Sequence, residues 1–322
     1  MLIDLALPAA NDLLILSAAE VRDCLDLAEL RLRLQRAFVL YSDGVTSVPP
    51  RVSATTALGL VGAMPGYVPD VGLEVKVVTV FPGNHGTALP SHQALIALFD
   101  DTNGAPLAVM DGTYITQIRT AASAAIAADL CAAPTATTLA IVGAGAQGQA
   151  HLLAFADLRP WTDIRVFSRN TDAALELAAR HPAAHVVADI ETAVRGADVV
   201  CLCTDAAEPI IEYDWLSPGA HVSSVGMGHE VDPATVAAAR VVVEWRGAVT
   251  SPPMAGAVEL QGLDPATVTE LGELLAGFVA LHDHADGITL YKSTGLAIED
   301  AAAARLVYDT AIHRGVGTHV QV

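Results

Sequence analysis

Residues 139–151 read Leu139-Ala-Ile-Val-Gly-Ala-Gly-Ala-Gln-Gly-Gln-Ala-His151, an apolar run, then glycines in the spacing G-x-G-x-x-G, then helix formers. A lone triplet of glycines with this spacing is weak. Placed between a predicted strand and a predicted helix, with another strand following at Ile164–Phe167, it reads as a dinucleotide-binding turn. The three glycines play different parts. Gly143 permits the tight turn, Gly145 lets the backbone approach a pyrophosphate, and Gly148 lets helix and strand pack closely. The helix that starts at Ala146 and Gln147 then turns its free N–H groups and the positive end of its dipole toward the phosphates.

The tip of the next strand selects the cofactor, because NAD enzymes usually place a carboxylate there for the ribose 2′-hydroxyl. Here the tip reads Phe167-Ser-Arg-Asn170 and carries no acid. A hydroxyl and a guanidinium fork at Ser168 and Arg169, with Asn170 beside them, suit a 2′-phosphate. The competing reading makes Arg169 a solvated surface charge. NADP(H) is therefore the expected cofactor, with NAD(H) as the alternative.

On the C-terminal side of this turn, strand and helix signals alternate. Helices are predicted at Ala173–Arg180 and Ile190–Arg195. Strands are predicted at Val186–Val187, Val199–Cys203, His221–Ser224 and Val241–Val243, which is the rhythm of a doubly wound parallel sheet, the Rossmann architecture. On the N-terminal side, a helix predicted over Thr116–Ala132 leads back to a different pattern. A helical stretch from Ser17 to Tyr41, with Ser17 as N-cap, is followed by strand-like runs at Arg51–Ala54, Gly59–Met64, Leu73–Phe81 and Gln93–Asp100, separated by turn clusters. Those runs predict a mostly antiparallel sheet. The final helix, Thr294–His313, is expected to return to this first region. The expected organisation is α/β: a smaller α+β domain over residues 1–115 plus 296–322, and a Rossmann domain over 116–295. A length of 322 residues agrees with two domains of roughly 150 residues.

Composition removes several classes of function. The chain is 52% hydrophobic and 16% charged, as a globular protein is, and each long apolar stretch is broken by charge, so no spanning helix is expected. Met1–Ala10 carries Asp4 and no basic residue, unlike a secretory signal, which predicts a cytoplasmic protein. The net charge of −19 should repel nucleic acid and anionic lipid. Cys24, Cys131, Cys201 and Cys203 form no CxxC pair, so neither a metal site nor a disulfide framework is expected, and Cys201 and Cys203 read as packing residues.

Lys76, inside the apolar run Val75–Val80, must either snorkel from a sheet edge or face a polar cavity. Arg51, before a strand, and Arg119, on a helix, are equally ambiguous when read alone. The stretches that contain them are more specific: Gly72-Leu-Glu-Val-Lys-Val-Val-Thr-Val-Phe-Pro-Gly-Asn84, Leu89-Pro-Ser-His-Gln93, Ala108-Val-Met-Asp-Gly-Thr113 with Ile118-Arg-Thr-Ala-Ala122, and Leu290-Tyr-Lys-Ser-Thr-Gly295. Together with the glycine turn they resemble the ornithine cyclodeaminase/mu-crystallin family over nearly the full length.

The resemblance implies a homodimer joined through the smaller domain's sheet, with the active site in the cleft beside the Rossmann domain. It gives Arg51 and Arg119 the substrate carboxylate, and Lys76 a place beside the reacting nitrogen. Met64 and Thr294 would lie near the substrate. Ser91, Arg119, Thr204, Val225, Gly226 and Met227 would join the glycine turn in holding the cofactor. His85 and His92 lie in the same region but are read as ordinary turn or core histidines.

Two departures bear on the chemistry. Cyclodeaminases carry an aspartate where Ser224-Val-Gly-Met-Gly-His-Glu230 has Gly228, and a glutamate where this chain has Gly62. His229 or Glu230 is left as a candidate replacement. Loss of both carboxylates speaks against ornithine cyclodeamination and costs a simple imine reduction less. The expectation is an NADPH-dependent ketimine reductase of proline or wider amino-acid metabolism. An amino-acid dehydrogenase or cyclodeaminase, and a low-turnover NADPH-dependent binding protein, are the alternatives.

Overall fold

The computed structural model describes residues 12–84, 87–253, 255–279 and 287–322. In chain order the first elements are β1 (Asp12–Leu16), α1 (Ala18–Cys24), α2 (Leu27–Ser42), β2 (Val52–Thr55), β3 (Leu60–Val68), β4 (Gly72–Val80), β5 (His92–Phe99), β6 (Pro106–Asp111) and α3 (Gly112–Cys131). They are followed by β7 (Thr138–Val142), α4 (Ala146–Ala156), β8 (Asp163–Phe167), α5 (Thr171–Ala178), β9 (Ala184–Val186), α6 (Ile190–Val194), β10 (Val199–Leu202) and β11 (His221–Ser224). The last are α7 (Pro233–Ala238), β12 (Arg240–Val243), α8 (Gly247–Thr250), β13 (Thr269–Glu270), α9 (Leu271–Leu275), β14 (Thr289–Lys292), α10 (Ala297–Arg314) and β15 (Thr318–Gln321). Two compact units result. Among the described residues, one holds Asp12–Arg33, Gly44–Thr116 and Ala297–Val322, and the other holds Leu34–Asp43 and Gln117–Leu296.

In the second unit the strands lie in the order β13-β12-β14-β11-β10-β7-β8-β9, and every adjacent pair is parallel. β10, β11 and β14 are buried at every position, as expected of strands covered on both faces. From β7 the chain moves to β8 and β9 on one side and crosses to β10 on the other. The strand order therefore reverses between β7 and β10, which is where a doubly wound sheet opens a crevice at its strand C-termini.

In the first unit the order is β15-β1-β6-β5-β4-β3-β2, with β1 and β6 parallel and the remaining pairs antiparallel. α10 packs on β3, β4 and β5. Small residues allow this close approach: Ala297 and Ala301–Ala304 are buried on the helix, and a β-carbon on Gly66 would come 2.8 Å from the Ala297 Cβ. Met64, Lys76, Ile96 and Met110 share a register row and are all buried, while Leu73, Val77 and Leu95 on the opposite face are exposed.

Two features differ from the sequence expectation. The helix expected from Ser17 to Tyr41 is two helices. α1 keeps its Ser17 cap, with Glu20 closing a capping box, but Leu25 turns extended and Asp26 accepts a hydrogen bond from the Glu29 amide, which starts α2 afresh. Strands β1, β6, β13, β14 and β15 and helices α7, α8 and α9 were not expected. They are short, and β15 is exposed along its whole length, so none shows a strong period. Among the described residues no helix is long and apolar enough to cross a membrane.

Candidate active site

The glycine turn has the geometry that its sequence implies. Gly143 adopts φ +108°, and a β-carbon there would come 2.5 Å from the Cys203 carbonyl oxygen, so the ends of β7 and β10 close upon each other. A β-carbon on Gly148 would overlap the Gly143 carbonyl. Gly145 behaves differently: nothing lies within 4 Å of where its β-carbon would stand, and as N-cap of α4 it offers no side chain to the first-turn amides. Open space above free N–H groups is what a pyrophosphate requires, so the turn fits a dinucleotide. One helical turn further on, burial pushes the His151 imidazole down to about 4, and its neutral ring donates from Nδ1 to the Gln147 carbonyl at 2.8 Å. Ala146 and Gln147 are thereby held in the first turn. Cys201 and Cys203 are packing residues whose thiols burial pushes up.

At the tip of β8, the Ser168 hydroxyl accepts from the Asn170 amide at 3.2 Å, and the Asn170 side chain caps α5 by accepting from Ala173 N at 3.1 Å. Both side chains thus shape the loop. The Arg169 side chain is 92% exposed, and its guanidinium reaches Asp205 Oδ1 at 4.0 Å. A solvated pair at this distance is worth well under about 1 kcal/mol and does not commit the guanidinium.

Two buried carboxylates organise the loops beyond the strand ends. Glu230 accepts from Thr204 N and Thr204 Oγ1, each at 2.7 Å, from Ser224 Oγ at 2.7 Å and from Gly226 N at 2.9 Å. Four donors on one carboxylate tie the loop after β10 to the loop after β11, so Thr204, Ser224 and Gly226 are held by one clamp. Lys292 reinforces it by donating to Ser224 Oγ at 2.9 Å and to the Gly226 carbonyl at 2.7 Å, with Glu259 paired to its ammonium at 2.9 Å. Glu244, at the end of β12, accepts from Tyr291 Oη at 2.9 Å, Ser293 Oγ at 2.6 Å, Thr294 N at 2.9 Å and Gly295 N at 2.5 Å.

That second clamp sets the turn next to Arg119. Gly295 has φ +75°, and a β-carbon on it would lie 2.6 Å from Arg119 Nη2, so this buried arginine stacks against bare backbone. The Thr294 hydroxyl accepts from Trp245 Nε1 at 2.9 Å. Sequence reasoning considered Glu230 only as a proton-transfer group and passed over Glu244, Glu259 and Lys292. The available signal was a charged residue at the end of an apolar strand, as in Val241-Val-Val-Glu244 and Leu290-Tyr-Lys292.

In the first unit, Lys76 lies on β4, between β3 and β5, and so not on a sheet edge. It is 2% exposed, and its Nζ pairs with Asp300 Oδ2 at 2.6 Å. Met64 is its register neighbour on β3. Arg51 is half-buried immediately before β2. The Ser91 carbonyl accepts from Phe81 N at 2.8 Å, and its hydroxyl meets His92 Nδ1 at 3.2 Å. His85 lies outside the described residues.

Comparison with known proteins gives the same architecture a family. The chain is 38% identical to ketimine reductase mu-crystallin from Mus musculus over 307 residues, covering 92% of this chain and 96% of that protein. The solved Δ1-pyrroline-2-carboxylate reductase of Thermococcus litoralis, in complex with NADH and L-proline, superposes with a TM-score of 0.90 at 32% identity, covering 95% of this chain and 100% of that one. An archaeal alanine dehydrogenase dimer with bound NAD gives 0.87 at 29% identity, covering 96% and 99%. Residues 11–315 match the model of the ornithine cyclodeaminase/mu-crystallin family, and with a likeness that spans both units the chain belongs to that family.

Proposed function

We propose that the chain reduces cyclic 2-imino acids with NADPH, converting Δ1-pyrroline-2-carboxylate or Δ1-piperideine-2-carboxylate to proline or pipecolate. The chain is an NAD(P)-dependent oxidoreductase acting on C=N bonds, and the proposal adds the ring substrate and the phosphorylated cofactor. The observation that carries it is full-length likeness to two reductases of C=N bonds, one of them solved with L-proline. Gly228 adds support, because a β-carbon there would overlap the Ala206 carbonyl, leaving no room for the aspartate of a cyclodeaminase.

A bound reduced nicotinamide supplies the hydride that C2 of the imine receives. In this reading Arg51 and Arg119 hold the substrate carboxylate in their guanidinium forks, which fixes the orientation of C2 and nitrogen. Lys76 donates to the nitrogen, so charge that develops there is met by an ammonium. Met64 and Thr294 line the substrate. Ser91, Thr204, Val225, Gly226 and Met227 serve the cofactor beside the glycine turn, and Ser168, Arg169 and Asn170 receive its 2′-phosphate. The solved relatives carry NADH and NAD, so Arg169 alone supports the phosphorylated form.

The proposal also holds that the protein is a cytoplasmic homodimer. The archaeal relative is a dimer, and here the exposed apolar face of the first unit's sheet, with Val61, Leu73, Val77 and Leu95, would meet its copy. The test is oxidation of NADPH and of NADH by the purified protein with each imine. Saturable turnover that favours NADPH is expected, and no turnover with either imine and either cofactor ends the reading. Likeness to an alanine dehydrogenase keeps a second reading, which predicts reduction of NAD(P)+ by L-alanine in the same assay.

A further inference from the structure

Lys76 sits in an apolar row. Its register neighbours across the sheet are Met64, Ile96 and Met110, and all four residues are buried. A lysine in such a place loses its proton unless a counter-charge compensates the lost hydration. Asp300 provides that charge from α10, with Oδ2 2.6 Å from the Lys76 ammonium and both side chains almost wholly buried. The next acids are also at hand. Glu74, two residues before Lys76 on the same face of β4, and Glu299, beside Asp300, are buried as well. The Glu74 carboxylate lies where α10 begins, since a β-carbon on Gly66 would stand 3.2 Å from Glu74 Oε1 and 2.8 Å from the Ala297 Cβ.

Stability does not explain this arrangement. Apolar side chains of similar size in place of a buried ion pair are often neutral or stabilising, whereas removing one partner is costly. What a short buried pair does supply is a fixed ammonium, because a lysine stem has many rotamers and a 2.6 Å contact to a buried carboxylate selects among them. The helix provides a firm base. Asp300 is in the first turn of α10, where Ala297 and Ala301–Ala304 pack the helix tightly against the sheet.

We propose that Asp300 is the positioning residue of Lys76. It keeps the side chain in its ammonium form and aims it at the substrate nitrogen, so that Lys76 serves as a donor and not as a base. This rests on the imine-reductase reading, in which Lys76 faces that nitrogen.

Equilibrium binding tests it without turnover. Picolinate is a flat six-membered ring with a carboxylate beside a nitrogen lone pair, and benzoate lacks only that nitrogen. With NADP+ present, calorimetry gives the ratio of the two affinities, which reads the hydrogen bond to nitrogen separately from carboxylate binding and from folding. Wild type should prefer picolinate by about tenfold or more, as a charge-assisted hydrogen bond implies. Lys76→Met should abolish the preference.

Asp300→Asn, which keeps the shape and loses the charge, should also lower the ratio toward one while benzoate affinity changes little. Asp300→Glu, which keeps the charge but displaces it, should fall between. Asp300→Asn in the Lys76→Met background should change the ratio no further, because both substitutions act through one group. A wild-type ratio in either folded Asp300 variant overturns the proposal. Failure of wild type to prefer picolinate, together with absence of imine turnover, overturns instead the reading on which it rests.

Discussion

Gly228 and Ala206 approach so closely that a β-carbon on the glycine would overlap the alanine carbonyl oxygen, and the His229 amide donates to that same oxygen at 2.7 Å. The loop after β11 is thus closed against the loop after β10 at the position where cyclodeaminases of the family carry an aspartate. Gly228→Asp is therefore expected to release no ammonia from ornithine. Gly228→Ala should already cost roughly 1–3 kcal/mol, since backbone must shift to admit the methyl group. A stable Gly228→Asp protein that released ammonia from ornithine would show that the loop opens.

Arg169 carries the cofactor assignment. Its guanidinium is solvated and only loosely held by Asp205, so substitution should leave the fold intact. Arg169→Asp should raise KM for NADPH by about tenfold or more, through loss of a charge-assisted contact and gain of a repulsive carboxylate. KM for NADH should fall or change little, because the new carboxylate can accept from a ribose 2′-hydroxyl. Equal effects on both cofactors would place the 2′-phosphate elsewhere.

Stability should fall as pH drops through the histidine range. Burial pushes His151 down to about 4, and burial, aided by nearby Arg159, pushes His221 down to about 3. In the unfolded chain both take up protons near the ordinary value of about 6.5, so above that pH they contribute fully to stability. Below it the unfolded state binds more protons, and each histidine removes up to about 1.4 kcal/mol per pH unit until its folded value is reached. Urea midpoints should decline between pH 7.5 and 5.5, above the carboxylate range, and His221→Gln should flatten that decline. An unchanged slope in the variant would show that His221 is not the titrating group.

How much of this was legible in sequence follows from the range of the interactions. The turn at Gly143, Gly145 and Gly148 is local, with strand, glycines and helix adjacent, and the predicted bounds of β11 coincide with those observed. β14 is central in its sheet yet is only Thr289–Lys292, too short to carry a period, and it is defined by pairing with β11 and β12. Lys76 was legible as an oddity in an apolar strand, but its partner Asp300 lies on the last helix and no spacing rule connects them. Carboxylates such as Glu230 and Glu244 look like catalytic candidates in sequence. Only the fold shows that their lone pairs are taken by backbone amides and hydroxyls of other loops.

Glu230 gives the sharpest separation between a proton carrier and a clamp. Oε1 accepts from Thr204 N and Oγ1, and Oε2 from Ser224 Oγ and Gly226 N, so each oxygen faces one backbone amide that cannot reverse its role. In Glu230→Gln, whichever way the amide turns, its NH2 meets a backbone N–H, and one buried donor loses its acceptor. That should cost about 1–3 kcal/mol in stability and loosen the loops that hold Thr204 and Gly226. Cofactor affinity should therefore weaken, together with a lowered melting temperature, while the pH profile of kcat keeps its shape. If Glu230 instead carried protons, the variant would bind cofactor normally, melt near wild type, and lose one limb of the pH profile of kcat. Fluorescence titration of the cofactor and one thermal melt are enough to distinguish these outcomes.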